Sequence, residues 1–263
     1  MKINQDAYNF HYIYGPVPSW RVGSSLGIDL LSQKEKICSF DCLYCQLGKT
    51  KITTITRQSY VPVGDILKEL NMLPEDVSID YLTLSGRGEP TLAKNIGDVI
   101  ELLKKERKEP VAVITNSSLM NRQDVREELS YADFVIAKLD ACSQESLMEI
   151  NKPLSEMRFE NIVEGMKLFR KHFRGKMAIQ VMFMRENAKY ACEIAEIARE
   201  IYPDEVQINT PLRPCAVESL GREELSHMKD FFGGLNAISV YESPKRHVTP
   251  ISDGDTLIRR GKT

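Results

Sequence analysis

The chain has 263 residues, 42% hydrophobic and 27% charged, with a formal net charge of -2. That length supports one domain of barrel size whose core needs no crosslinks, and the near-neutral balance excludes a global basic field of the kind that gathers nucleic acid. Six cysteines, three of them clustered, are not a secreted disulfide framework. No run approaches the roughly 20 apolar residues of a membrane span, and residues 1–10 lack the apolar core of a signal peptide, so a cytoplasmic location and no membrane partner are expected.

Tyr12 to Arg21 is rich in turn formers and aromatics, and two prolines forbid regular helix there. It is expected to be an ordered loop, a packed lid more than a substrate contact, with Trp20 and Arg21 as the residues able to give it a function. The first strand is expected over 25–31. Helix and strand periodicities then alternate: helix 63–72, strand 80–85, helix 92–105, strand 111–115, helix 123–129, strand 134–139, helices 144–150 and 159–172, strand 177–184, helix 188–201, strand 205–209, helix 222–232 and a strand-like run at 237–241. Repeated βα units mean a parallel sheet; a partial (β/α)6 barrel and an open doubly wound sheet both fit the periodicity. The expected organisation is an N-terminal extension 1–24, a barrel 25–242 and a C-terminal tail 243–263 whose Arg259, Arg260 and Lys262 read as solvated.

The chemistry centres on Cys38-Ser39-Phe40-Asp41-Cys42-Leu43-Tyr44-Cys45. A [4Fe–4S] cluster takes four ligands, usually thiolates; three thiolates in one loop hold three irons and leave the fourth open to a small molecule. Structural zinc instead takes four ligands, most often in two separated pairs, and neither a second C-x2-C nor an H-x3-H follows. In a parallel barrel, ligands gather where strands end, and polar or glycine-rich residues recur there. Ser85-Gly86-Arg87-Gly88-Glu89-Pro90-Thr91 follows the second strand, with glycines that admit close backbone approach and Glu89 able to meet a cationic amine; a helix N-terminus with a favourable acid is the plainer alternative. Thr115-Asn116-Ser117-Ser118 reads by itself as a capping turn. Lys138 and Asp140 share a face at period two and form either a mutual ion pair or a ligand contact. Gln180 is the polar residue on a face with Ala178, Met182 and Met184; Gln207 and Asn209 share another, followed by Arg213. Cys192 is expected in the core of a helix. Cys142 and Cys215 follow strand ends, as buried thiols or as a resolving thiol, acceptor or extra ligand.

The cysteine spacing and its aromatic resemble the signature of the radical S-adenosylmethionine (SAM) superfamily. The resemblance implies the partial (β/α)6 barrel, a [4Fe–4S] cluster on Cys38, Cys42 and Cys45, and SAM bound through its amino and carboxylate groups to the open iron, where reductive C–S cleavage yields a 5′-deoxyadenosyl radical. It further implies that Gly86, Gly88 and Glu89 meet the SAM ammonium, with Arg87 displacing the first glycine of the usual pattern. Asn116 and Ser117 become candidates for SAM contact, Lys138 and Asp140 for its carboxylate or ribose, and Gln180 and Asn209 for other parts of the cofactor, while Arg213 is by its own chemistry a candidate for an anionic group on SAM or substrate. Tyr44 packs near the cluster and shields it. Tyr14 to Ser19, Ser25 to Asp29, Cys38 to Gly48, Gly88 to Leu92 and Asn209 to Pro211 together resemble an Fe–S oxidoreductase branch related to the tRNA wybutosine-synthesis enzymes. The chain departs from that branch at Trp20, where a second basic residue is common, and at Cys215.

The implied enzyme abstracts hydrogen from a small molecule, nucleobase or tRNA and draws its electron from a flavodoxin-type reductase. A radical SAM activase or modifier of a protein or peptide, including one that installs a glycyl radical, is the second reading. A non-SAM iron–sulfur or zinc protein, with Cys142 or Cys215 as fourth ligand, is the third. An RNA binder needs clustered basic residues with stacking aromatics; Lys167, Arg170, Lys171, Arg174 and Lys176 form one basic group, and Lys245, Arg246, Arg259 and Arg260 another.

Overall fold

A computed structural model describes residues 10–244 and 247–260; the basic residues Lys245, Arg246 and Lys262 lie outside them. The chain runs β1 (Ile13–Ser19), β2 (Gly23–Ile28), β3 (Ile37–Cys38), β4 (Ile52–Thr53), α1 (Val63–Asn71), β5 (Tyr81–Leu84), a 3-10 turn (Pro90–Leu92), α2 (Ile96–Glu106), β6 (Val111–Thr115), α3 (Gln123–Leu129) and β7 (Phe134–Lys138). It continues through α4 (Gln144–Ile150), α5 (Phe159–His172), β8 (Lys176–Met182), α6 (Arg185–Ala188), α7 (Ala191–Ile201), β9 (Glu205–Asn209), α8 (Arg222–Asp230), β10 (Ala237–Ser239) and α9 (Asp253–Arg260).

One sheet carries eight strands in the order β1-β2-β5-β6-β7-β8-β9-β10. Every pairing from β2 to β10 is parallel, and only β1 is antiparallel. The sheet curls into a half-barrel, with β1 and β10 at its two edges. Alternation along the strands sorts the side chains. Leu82 and Leu84, Val111 and Val113, Val135 and Ala137, and Ile179 and Val181 belong to the large core beneath the helices. Ala112, Phe134, Ile136 and Ala178 form a separate apolar plug with Val22. Further along the plug's face come Lys138, Gln180 and Gln207, so β7 and β8 change from apolar to polar toward their C-terminal ends. That change builds the floor and the polar interior of the barrel.

Five segments differ from expectation. Tyr12 to Arg21 is no loop: β1 pairs with β2 in a hairpin whose register shifts between Tyr14 and Val17. Its prolines fit because β1 is an edge strand, where a missing N–H breaks no ladder. The tail is not solvated either. α9 packs on β1 with Arg259 buried, while its apolar Leu257 and Ile258 stay exposed. The strand-like run at 237–241 is a seventh parallel strand, shorter than expected. The helix expected over 92–105 begins at Ile96, behind the 3-10 turn, and that over 188–201 divides into α6 and α7.

Candidate active site

The cysteine loop lies across the end of the barrel and is held from three sides. Ile37 bridges to Gly88; a Cβ on Gly88 would stand 1.8 Å from the Ile37 carbonyl oxygen, so only glycine allows the loop to approach. Asp41 and Leu43 donate their backbone N–H to the carbonyls of Asn151 (3.0 Å) and Ile150 (3.0 Å) at the end of α4. Ser39 meets Asn116 Nδ2 (2.8 Å) and Ser118 Oγ (2.7 Å) beyond β6. Arg87, the residue that interrupts the glycine pair, donates to the carbonyls of Gln33 (2.7 Å) and Lys34 (2.9 Å), clipping down the approach to Cys38.

Each thiol has its own nitrogen donor. Lys36 Nζ donates to Cys45 Sγ at 3.0 Å, Asn151 Nδ2 to Cys42 Sγ at 3.4 Å, and Asn116 Nδ2 stands 3.7 Å from Cys38 Sγ. Donors of this kind favour the thiolate and set the potential of iron bound to it. Without metal, burial pushes the Cys38 thiol up to about 12, with Cys42 and Glu89 adding to the shift. Burial likewise pushes Cys42 up to about 11 against the hydrogen bond from Asn151. Binding iron therefore has to expel these protons. Among the described residues no three His, Cys, Asp or Glu side chains converge as ligands of a single ion; thiolates that each take a different iron of one cluster do not have to. The sulfur-only donor set with one donor per sulfur fits a cube with an open corner.

Glu89 is buried, and burial raises its pKa against four hydrogen bonds. Oε1 accepts from Thr91 N (3.0 Å), Thr91 Oγ1 (2.7 Å) and Thr115 Oγ1 (2.6 Å), while Oε2 accepts from Asn116 N (2.6 Å) alone. Glu89 thus fixes the turn that carries Asn116. Ser117 adopts a left-handed conformation, and its hydroxyl is held by the Lys138 carbonyl (3.0 Å). Asp140 accepts from Tyr44 Oη (2.5 Å), Asn151 Nδ2 (3.2 Å) and Met182 N (2.8 Å). Burial then holds the Tyr44 phenol well above its usual pKa, with the Asp140 charge adding to the shift. Lys138 Nζ lies 3.3 Å from Asp140 Oδ1 and 4.8 Å from the Tyr44 ring centroid, yet makes no aligned hydrogen bond despite its burial. A buried ammonium with unmet donors fits a ligand carboxylate.

Asn116, Lys138, Asp140 and Asn151 line one small cavity with Phe40. Gly86 packs on Asp29, where a Cβ would meet the carboxyl carbon at 2.4 Å. Gln180 is deeper in the barrel, donating to Gln207 Oε1 at 2.9 Å. Asn209 pairs with Met182 in register and is buried. Arg213 reaches Gln46, the residue after Cys45, at 2.9 Å.

Lys36 and Asn151 escaped the sequence reading. Lys36 carries no spacing signal, and Asn151 resembles an ordinary helix C-cap. Cys192 is exposed, not core, because it falls off the Ala191-Ile194-Ala195-Ala198 stripe of α7. Cys142 lies against Ser146 (3.8 Å) and Cys215 against the Val217 carbonyl (3.2 Å); neither contacts a loop thiol. The first basic group is largely neutralised in surface ion pairs, Lys167–Glu200, Arg170–Asp204 and Lys176–Glu205.

The family model of the radical SAM superfamily matches residues 36–198. The chain is 42% identical over 207 residues to the UPF0026 protein slr1464 of Synechocystis, covering 78% of this chain and 77% of that one. It is 34% identical to a protein named GTPase Obg from Brachyspira hyodysenteriae, covering 93% of this chain but 38% of the relative. Among solved structures, the one titled native anSMEcpe with bound AdoMet superimposes with a TM-score of 0.60 at 19% identity, over 82% of this chain and 64% of that chain. A radical SAM methyltransferase from Sphaerobacter thermophilus gives 0.57 at 12% identity, over 82% and 65%. The chain belongs to the radical SAM superfamily and, within it, to the family of UPF0026 proteins. It is an enzyme of that class, with a [4Fe–4S] cluster and SAM as its cofactors. No described helix is long and apolar enough to cross a membrane.

Proposed function

We propose that this enzyme cleaves SAM reductively and uses the radical to take a hydrogen atom from a small substrate held in the barrel. The observation that carries the reading is the triad of thiols with a separate nitrogen donor on each sulfur. When bound, the cluster supplies one electron to the SAM sulfonium.

The chain's own residues do the rest. Cys38, Cys42 and Cys45 hold three irons. Glu89 Oε2, with a single donor from the protein, has capacity left for the SAM ammonium. The unmet donors of Lys138 face the carboxylate chemistry of the same ligand. Gly88 makes room for the cysteine loop and Gly86 for Asp29, Asn116 and Ser117 shape the ligand's wall, and Tyr44, locked by Asp140, keeps water from the cluster. Gln180 and Asn209 lie on the substrate side of the site. A flavodoxin-type reductase is the electron donor and the cytoplasm the location, since the thiols must stay reduced to bind iron. The ion pairs that neutralise the Lys167–Lys176 surface argue for a small molecule over tRNA.

The test is anaerobic reconstitution with iron and sulfide, then SAM and dithionite, with 5′-deoxyadenosine read by mass spectrometry. It is expected from the intact triad and absent from Cys42→Ala. A full cluster that leaves SAM whole under dithionite, or a protein that takes up zinc in place of iron, refutes the reading.

A further inference from the structure

Three arginines from distant parts of the chain meet inside the half-barrel. Arg21, in the β1–β2 turn, directs Nη2 toward Gln180 Oε1 at 3.5 Å, and its Nε is buried with no partner. Arg213, beyond β9, donates from Nη1 to Gln46 Oε1 (2.9 Å) and to the Arg260 carbonyl (3.1 Å). Arg260, ending α9, donates to the Pro18 carbonyl at 3.0 Å. Every one of these acceptors is a neutral oxygen.

The arginines feel one another. Burial, then Arg213 and Arg260, pushes Arg21 down to about 10. Burial, then Arg260, pushes Arg213 down to about 10. Arg260 is lowered by burial too, and the nearby Tyr14 hydroxyl is the one acidic group acting on all three. Among the described residues no carboxylate pairs with any of them, although carboxylates neutralise Arg57, Arg107, Arg170 and Arg259 elsewhere. Three like charges gathered in a partly desolvated space are unfavourable unless a ligand neutralises them.

We infer that Arg21, Arg213 and Arg260 form the anion subsite of the substrate pocket, built for the phosphate groups of a phosphorylated small molecule. This names the substrate class for the reaction proposed above and rests on that reading for its catalytic meaning, though not for binding. Phosphate suits guanidinium forks, which present paired N–H groups to its oxygens. Three charges exceed the single carboxylate of SAM, for which Lys138 stands nearer the thiols. Polymeric RNA does not suit a site whose floor is closed by Val22, Phe134 and Ile136. Arg213 touches the residue that follows Cys45, so a phosphate seated here lies beside the cluster loop and the rest of the molecule extends toward the SAM side.

The sole tryptophan supplies the readout. Trp20 lies beneath the Arg21 guanidinium, 5.2 Å from ring centroid to Cζ, so an anion drawing on Arg21 alters its fluorescence. Inorganic pyrophosphate is titrated into the reconstituted protein, with calorimetry in parallel, against SAM and a single-stranded RNA oligonucleotide. Saturable pyrophosphate binding is expected, weakened tenfold or more in Arg213→Gln and in Arg260→Gln, and weakened less in Arg213→Lys and Arg260→Lys, which keep the charge but lose the fork. Thermal melts identify any variant that has failed to fold, and the lysine pair decides in that case. No pyrophosphate binding, binding indifferent to all four variants, loss of SAM affinity in place of pyrophosphate affinity, or tight RNA binding without pyrophosphate binding each overturns the inference. A protein that fails to cleave SAM yet binds pyrophosphate through these arginines overturns only the radical reading.

Discussion

Lys36, Asn116 and Asn151, one lysine and two asparagines, lie far apart along the chain, yet each brings a nitrogen donor to a different sulfur. Asn151 does most: it also reaches Tyr44 Oη (3.4 Å) and Asp140 (3.2 Å), coupling the cluster loop to β7. Asn151→Ala removes a donor from Cys42, so the reduced cluster loses stabilisation and its potential becomes more negative. An EPR-monitored redox titration is expected to show that shift, together with slower SAM cleavage at fixed dithionite. Glu89→Gln tests the buried carboxylate. An amide cannot accept from four donors, so one of Thr91, Thr115 or Asn116 is left unpaired. The cost is about 1–3 kcal/mol, read as a lower denaturation midpoint, with weaker SAM binding beside it. At this scale the sequence was informative where residue type alone implies chemistry, as for the three cysteines, Glu89 and Lys138. It was silent on Asn151, whose role depends on α4 ending against a loop more than 100 residues upstream.

Among the elements, α9 departs most from its reading in the sequence. Its charges suggested a solvated tail, but Arg259 is buried, donates to Ser32 Oγ (3.1 Å) and the His11 carbonyl, and lies 3.8 Å from Asp29 Oδ2. Asp29, just past β2, is pushed up to about 6 by burial, with Arg259 opposing the shift. A carboxyl with a raised folded-state pKa favours folding below its ordinary value near 4, and that contribution is lost as pH rises through the folded value. Wild-type stability is therefore expected to fall by roughly 3 kcal/mol between about pH 4 and pH 6 on account of this group. Asp29→Asn abolishes that component of the slope, as chemical denaturation across the pH series will show; an unchanged slope assigns it elsewhere. Helices α3, α4 and α5 and strands β6 and β9 have the bounds their periodicity gave, because each is flanked by clear breaks. The hairpin was hidden by Pro16 and Pro18, which weigh against a strand except at an edge, and edge position is a property of the assembled sheet.

Across the whole molecule, the apolar core beneath the helices and the separate plug inside the barrel are built mainly by strands and helices, the cysteine loop adding Ile37 and Phe40 to the former. The scaffold is therefore expected to fold without iron. Replacing Cys38, Cys42 and Cys45 together with alanine is expected to leave the far-UV circular dichroism unchanged and to lower the melting temperature by only a few degrees, at about 2–4 °C per kcal/mol, while abolishing cluster absorbance. A molten triple variant would show that the loop organises the barrel. The βα rhythm conveyed the parallel sheet, but periodicity alone did not distinguish a curled sheet from an open one; the cysteine motif made that choice.

The sheet adds its strands β5 to β10 in the order in which they occur in the chain, whereas the contacts of α9 join opposite ends of it. Gly15 N donates to Thr256 Oγ1 (3.1 Å), Ile251 N to the Gly15 carbonyl (2.7 Å), and Arg260 to the Pro18 carbonyl (3.0 Å). During synthesis β1 therefore waits, its outer edge uncovered, until the ribosome has released a helix more than 230 residues later. A nascent chain that stops short of α9 can build the barrel and the cysteine loop but lacks one of the three arginines. If the three arginines seat the substrate as inferred, such a product takes up iron before its anion subsite is complete, and α9 is the element that completes it.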